Sequence, residues 1–228
     1  MLEIHKLHAS YGQAQVLFDV SFKVPLGHMV LIQGLNGAGK SSLLKAIMGL
    51  MPKVTGEVTW AGQSMQYLAP YQRSQKGLGY VPEDRRLFAA LTVRQNLEIA
   101  RPAASASKQS SAPIQLDDVL NLFPALGTML DRPAAQMSGG EQQMLALGRT
   151  LMTQAQMLLL DEPCEGISPV LVQAIAQALE KLQKQGYTML IAEQNQLLSS
   201  MADHVLHLAS GTMSSSRTLQ AQFKSQFP

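Results

Sequence analysis

The sequence predicts an α/β protein with a parallel-sheet core, an antiparallel β layer at its N-terminal end and an inserted helical subdomain. Short, wholly apolar runs such as Met29-Val-Leu-Ile32 and Met157-Leu-Leu-Leu160 have the make-up of buried parallel strands. They are followed by stretches whose apolar residues recur at helical spacing, the order that builds a parallel sheet. The segment from Val16 to Val24 instead alternates residue by residue, as a half-buried antiparallel strand does.

In chain order, Val16, Phe18, Val20, Phe22 and Val24 form the apolar side of that early strand, which turns at Pro25-Leu-Gly27. Gly56-Glu-Val-Thr-Trp60 adds another strand to the same layer. From residue 86 to 155 the character changes to helical. Thr92 and Gln95 make a capping box for a helix through Ala100. Leu116, Val119, Leu120 and Phe123 recur at helical spacing, and Ala103 to Pro113 between them reads as a small, polar surface loop with no chemistry. Ser168-Pro169 opens a helix with a capping residue and a first-turn proline. Its core face is Leu171, Ile175, Leu179 and Leu182, and Gly186 stops it. Tyr187 to Ile191 is a strand, Leu197, Leu198 and Met201 a short helix face, and His204 to Leu208 a last strand before a polar tail from Ser214 onward. The whole reads as one domain, 1–228. Residues 1–85 and 156–228 form the core with its β layer, and 86–155 form the helical subdomain.

Between the strand Met29–Ile32 and the helical pattern of Leu43, Leu44, Ile47 and Met48 lies Gly34-Leu-Asn-Gly-Ala-Gly-Lys-Ser41, a full match to G-x-x-x-x-G-K-[ST]. Gly34, Gly37 and Gly39 let the backbone turn tightly, so that successive amides, with Leu35, Asn36, Ala38 and Ser42 in the same stretch, point at phosphate oxygens. The helix N-terminus adds partial positive charge. Lys40 reaches the β- and γ-phosphates of a nucleotide, and the Ser41 hydroxyl can ligate Mg²⁺.

Met157–Leu160 ends in Asp161-Glu162, which puts two carboxylates at the ligand edge of the sheet. Asp161 suits the Mg²⁺ shell. Glu162 suits the general base that activates the attacking water. Consecutive strand residues point to opposite faces, which separates the two roles.

The stretch Met137-Ser-Gly-Gly-Glu-Gln142 opens a helix whose apolar face is Met144, Leu147 and Leu151, with Ala146 and Met152 alongside. Ser138 and Glu141 make a capping box. Gly139 and Gly140 leave bare N–H groups facing outward, a second anion site. One nucleotide does not need two cradles in one chain, so this site suits a nucleotide held by another subunit.

Over essentially its whole length the chain resembles the ATP-binding subunit of ABC transporters. Ser138-Gly139-Gly140-Glu141 is similar to the signature motif of that family, with Met137 where Leu is usual. Tyr11 looks like the aromatic that stacks on adenine. Gly166-Ile-Ser-Pro169 looks like the loop that crosses the dimer interface, with Ser168 where many relatives have Asp. Glu83, in Val81-Pro-Glu83, stands where a Gln is usual, and Gln194 stands at the switch-His position. Both resemble the ATPase subunits of branched-chain (hydrophobic) amino acid importers and their relatives for urea and amides. Leu91-Thr-Val-Arg-Gln-Asn-Leu97 and Asp161-Glu-Pro163 through Gly166 look like that branch too. Gln194 can donate to a γ-phosphate but cannot carry a proton; an ionised Glu83 can ligate Mg²⁺ or water but cannot donate. The resemblance implies a RecA-like P-loop NTPase core, ATP and Mg²⁺ as cofactors, and ATP hydrolysis between two head-to-tail ATPase subunits, as a homo- or heterodimer. It further implies permease subunits, indirectly a substrate-binding protein, and a peripheral position on the cytoplasmic face of the inner membrane. A soluble, non-transport ABC ATPase is the alternative within the fold.

Composition narrows the rest. The 228 residues are 46% hydrophobic and only 15% charged, which supports a large core with part of the surface covered by partners. A net charge of +2 without a basic stripe gives no sign of nucleic-acid binding. Arg85-Arg86 is the sharpest basic pair, either a solvated turn or a partner contact. A guanine-reading Asn-Lys-x-Asp motif is missing, which argues against a GTPase. The single cysteine, Cys164, reads as a small space-filler, and His204 and His207 as strand-surface residues. The start Met1-Leu-Glu-Ile-His has no signal-peptide pattern, and no apolar run approaches the roughly 18 residues of a membrane span.

Overall fold

The computed structural model describes residues 1–102 and 113–214. The predicted loop from Ala103 and the polar tail lie outside the described residues, apart from Pro113 and Ser214.

Two sheets carry the fold. The first is antiparallel: β1 (Leu2–Tyr11), β2 (Ala14–Val24), β4 (Lys53–Trp60) and β5 (Gln63–Ser64), in the order β2-β1-β4-β5. The second holds β3 (Met29–Gln33), β6 (Leu78–Val81), β7 (Met157–Asp161), β8 (Thr188–Ala192), β9 (His204–Ala209) and β10 (Thr212–Ser214), in the order β10-β9-β3-β8-β7-β6. All of its pairings are parallel except β9 with β10. The crossovers from β3 to β8 and β9 bring the C-terminal ends of β3, β7 and β8 side by side, and loops leaving those ends share one edge.

The central strands are buried on both faces, so their sequences are apolar but for Gln33, Asp161 and Thr188 at their ends. Every residue of β7 and β8 is buried. Alternate residues serve two cores. Leu159 and Leu190 pack with α1 (Lys40–Met48) and the antiparallel sheet. Leu158, Leu160, Met189 and Ile191 pack with α6 (Gly139–Met152) and α7 (Pro169–Lys184) on the other face. The helical stretch contains α3 (Val93–Glu98), α4 (Leu116–Leu122) and α5 (Pro124–Gly127), which close over α6. α2 (Pro70–Gln75) precedes β6, and α8 (Gln196–Met201) precedes β9.

Four local expectations need correction. The strict alternation expected in β2 does not hold. Leu17, Val20 and Val24 are buried while Phe18 is 41% exposed. Asp19 has a positive φ of 49°, and this irregularity moves the strand's inward face by one residue. The helix after Thr92 ends at Glu98, two residues short of Ala100, although its capping box forms as expected. β9 is not the last strand: Gly211, with φ 74°, turns the chain back into β10. A Cβ on Gly211 would lie 2.2 Å from the Val16 carbonyl oxygen, so only glycine fits this turn against β2. In α8 only Leu198 is fully buried.

The face switch in β2 is testable by stability. Leu17→Ala should cost about 2–5 kcal/mol in urea unfolding, as buried leucines do. Phe18→Ala should cost less in spite of the larger side chain. The reverse order would contradict the bulge.

Candidate functional site

Gly34 to Gly39 fill the gap between β3 and α1. The loop presses against β9 so closely that a Cβ on Gly34 would sit 2.2 Å from the Leu208 carbonyl oxygen. Gly39, the residue before α1, has φ 104°, a conformation that favours glycine. These two glycines let the loop wrap Lys40, which is only 4% exposed. Its Nζ donates to the Gly34 carbonyl at 2.9 Å and lies 3.5 Å from the Leu35 carbonyl and 3.2 Å from Glu162 Oε1. The predicted cradle lysine and the predicted base therefore meet.

Ser41 and Asp161 also meet. Ser41 Oγ donates to Asp161 Oδ1 at 2.9 Å, and the Tyr80 hydroxyl donates to Asp161 Oδ2 at 3.1 Å. Asp161 is 1% exposed. Burial raises its proton affinity, and the hydrogen bonds from Ser41 and Tyr80 oppose that rise. Burial and the Asp161 charge in turn push the Tyr80 phenol well above its ordinary value, so it stays a donor. Two hard oxygens this far apart fit one edge of an octahedral Mg²⁺ site, for which ligand distances near 2.1 Å give an edge of about 3.0 Å. Among the described residues no cluster of three or more His, Cys, Asp or Glu could hold a metal. Glu83 is exposed and lines, with Asp161, Tyr80 and Lys45, a cleft of 220 Å³.

The separation of Asp161 and Glu162 has a different origin from the one the sequence implied. β7 stops at Asp161, and Glu162 takes φ 48°, while its N–H donates to the Ala192 carbonyl at 2.9 Å. A break into left-handed backbone, not strand alternation, separates the Glu162 carboxyl from Asp161. Its carboxyl is held below the usual range, first by a hydrogen bond from Glu165 and then by Lys40. Glu165, facing that charge, is pushed up to about 7. Below that pH it keeps the proton and donates. Sequence reading missed Tyr80 and Glu165: nothing in a strand tyrosine or a loop glutamate marks them until the fold brings them to Asp161 and Glu162.

Gln194 is exposed, and its Nε2 donates to Asn36 Oδ1 at 3.1 Å, which places the switch position against the phosphate loop. Tyr11 ends β1 with its ring 45% exposed. Cys164 is buried, and burial followed by the Glu193 charge pushes its thiol up to about 12, in keeping with a space-filler.

The second glycine motif forms its capping box: Ser138 N donates to Glu141 Oε2 at 2.7 Å, and Glu141 N to Ser138 Oγ at 3.4 Å. One expectation changes. Gly140 is buried, and a Cβ there would lie 2.1 Å from Leu171 Cδ1, so this glycine also permits close packing of α6 on α7. Arg85 resolves from its neighbour. Its Nε donates to Gln143 Oε1 at 3.1 Å and its Nη1 reaches Gln142 Oε1 at 3.5 Å, under Gly139. Arg86 pairs with Asp84 in the open. Arg85 is thus an internal strut between the Glu83 turn and α6.

The raised Glu165 makes a signed pH prediction. Between its ordinary value near 4.5 and about 7, the folded chain holds a proton that the unfolded chain has released. Stability therefore falls as pH rises through that window. Glu162, held low, acts with the opposite sign but in a window below its ordinary value. Glu165→Gln should remove the fall, so thermal midpoints measured from pH 5 to pH 8 without added nucleotide should converge at the acid end and favour the variant at the basic end. Parallel curves would contradict the shared proton.

Comparison with known proteins agrees with this geometry. Residues 17–165 match the ABC transporter family. The high-affinity branched-chain amino acid transport ATP-binding protein BraG of Pseudomonas aeruginosa is 40% identical over 195 residues, covering 86% of this chain and 82% of BraG. The probable branched-chain amino acid transport ATP-binding protein LivF of Archaeoglobus fulgidus is 37% identical over 213 residues, covering 92% and 89%. The crystal structure of the ADP conformation of MJ1267, an ATP-binding cassette of an ABC transporter, is similar with a TM-score of 0.77 at 26% identity, covering 94% of this chain and 89% of that one. The phosphate loop, the Asp161-Glu162 pair and the capped glycine motif thus sit in a chain that belongs to the ABC transporter family, as one of its ATP-hydrolysing subunits.

Proposed function

We propose that this chain powers an importer of branched-chain or other hydrophobic amino acids. It does so as one half of a pair of cassettes that close around ATP. The observation that carries the pairing is the placement of the two glycine motifs. The phosphate loop leads into α1, whose Leu43, Leu44 and Ile47 pack in the core on one face of the parallel sheet. The Ser138 motif leads into α6, whose Met144, Leu147 and Leu151 pack in the core on the other face. Two anion-binding turns on helices from opposite faces serve one triphosphate best when they come from two chains. The amino-acid substrate follows from the likeness to BraG and LivF.

In this reading the amides of residues 34–42 and Lys40 bind the phosphates, and Tyr11 packs on the adenine. Gln194 faces the γ-phosphate. Ser41 and Asp161 would hold Mg²⁺ with Glu83 nearby, and the ion would supply neutralisation of phosphate charge. Ser138, Gly139, Gly140 and Glu141 meet the nucleotide of the second cassette, a copy or a related ATPase. The γ-phosphate competes with Glu162 for Lys40, and the freed carboxylate accepts a proton from the attacking water.

No helix among the described residues is long and apolar enough to cross a membrane. Attachment through permease subunits at the cytoplasmic face fits a groove of 400 Å³ between the core and the helical stretch, lined in part by Leu50, Tyr80, Phe88, Ile99 and Arg149. Leu50, Phe88 and Ile99 are 43%, 50% and 59% exposed there, an apolar patch of the kind that marks a partner.

Glu162→Gln tests the reading. Its hydrolysis rate should fall by about 10²- to 10⁴-fold, the scale of a lost general base, while ATP binding persists. The variant should form an ATP-dependent dimer on size exclusion, alone or with its partner ATPase. A chain that stays monomeric with ATP under both conditions would refute the paired arrangement.

A further inference from the structure

Four charged side chains are buried among the described residues: Lys40, Arg73, Asp161 and Glu193. Lys40 and Asp161 belong to the nucleotide site. Arg73 donates to the Ala46 and Ile47 carbonyls and so ties down the end of α1. Glu193 is 6% exposed, and the mechanism above gives it no role.

Its surroundings give it one. The carboxylate accepts backbone N–H groups from two different loops. Oε1 accepts from Gln194 N at 2.8 Å and from Asn195 N at 3.1 Å. Oε2 accepts from Cys164 N at 3.0 Å. The first two belong to the turn that carries the switch residue Gln194. The third lies two residues beyond Glu162, in the loop that runs on to Gly166 and Ser168. The Glu193 N–H donates to the Ile32 carbonyl at 3.1 Å, just ahead of the phosphate loop, and Glu162 N donates to the Ala192 carbonyl. The backbone and side chain of this residue therefore tie together the ends of β3, β7 and β8.

We propose that Glu193 is a positioning residue for ATP hydrolysis. Its carboxylate bridges the Gln194 turn to the loop behind Glu162, so that the group reading the γ-phosphate and the base move as one unit. This rests on Glu162 and Gln194 acting at the γ-phosphate. A carboxylate is required because all the facing groups are donors. A carboxamide has one oxygen. It satisfies Gln194 N and Asn195 N with that oxygen, but then turns an NH₂ toward Cys164 N. Glu193→Gln thus keeps the turn and cuts the bridge. The cradle that binds ATP is left untouched.

The test is steady-state hydrolysis by the full chain in its assembled complex, with ATP as the probe. Glu193→Gln should lower kcat by about tenfold or more and leave KM for ATP within about twofold, the pattern of an interaction that matters after binding. In combination with Gln194→Ala the loss should be smaller than the product of the separate losses, because both act on one element. Should Glu193→Gln not accumulate as folded protein, Glu193→Asp carries the same test: it keeps the charge but shortens the reach, and should show the same split at smaller size. Unchanged kcat in the variant, equal losses in kcat and ATP affinity, or fully multiplicative losses with Gln194→Ala would overturn the bridge. Glu162→Gln in parallel separates the two levels. If that variant still hydrolyses ATP, the underlying reading fails; if it is dead while Glu193→Gln turns over normally, only the bridge fails.

Discussion

A buried ammonium organises this protein. Lys40 is almost fully shielded, and a charge in that position is costly unless it is paired and hydrogen-bonded. The Gly34 and Leu35 carbonyls and the Glu162 carboxylate supply the pairing. The loop must therefore close tightly, which demands glycine where it touches Leu208. β7 must end with its base within reach of β3, which demands the crossover order of the sheet. In the proposed function ATP phosphates compete with Glu162 for the same lysine, and as anions they are stronger acceptors than the Gly34 and Leu35 carbonyls. Binding and release of the base are then linked through one side chain.

The same economy recurs around the site. Asp161 is kept available to a cation by two hydroxyl donors. Glu162 is kept ionised by Glu165 and Lys40, and Glu193 gathers the amides of the adjoining turns. Arg85 braces the Glu83 turn against α6. Most of these links join segments distant in sequence, and all meet at one edge of the parallel sheet or beside it. Movement of one loop is felt by the others through Lys40, Asp161 and Glu193, which are buried and cannot exchange their partners for water without loss.

Much of this was legible in the sequence. The phosphate loop, the Asp161-Glu162 pair and the Ser138 capping box are local patterns, fixed by residues a few places apart. The apolar runs Met29–Ile32 and Met157–Leu160 announced strands covered on both faces. What stayed hidden depends on contacts between distant segments or on single backbone torsions. The bulge at Asp19, which turns Phe18 outward, leaves the apolar alternation of β2 intact on paper. The left-handed turn at Glu162 occupies a residue type that gives no hint of it. Gly140 looks like a bare anion turn until α7 brings Leu171 against it. Tyr80 and Glu193 gain their roles only from partners that the crossovers deliver, and Glu165 faces Glu162 only because of the left-handed turn at Glu162 itself.

The most direct test of the central interaction is to remove the ammonium and keep its bulk. ATP affinity and thermal midpoint should be measured together for Lys40→Met and the parent chain. The account predicts a loss of affinity of roughly tenfold to a hundredfold, the worth of one charge-assisted hydrogen bond to phosphate. The fold should survive with a lowered thermal midpoint, because the Glu162 carboxylate left without its partner is 17% exposed and can turn to water. Affinity within about threefold of the parent, in a protein that melts normally, would contradict it.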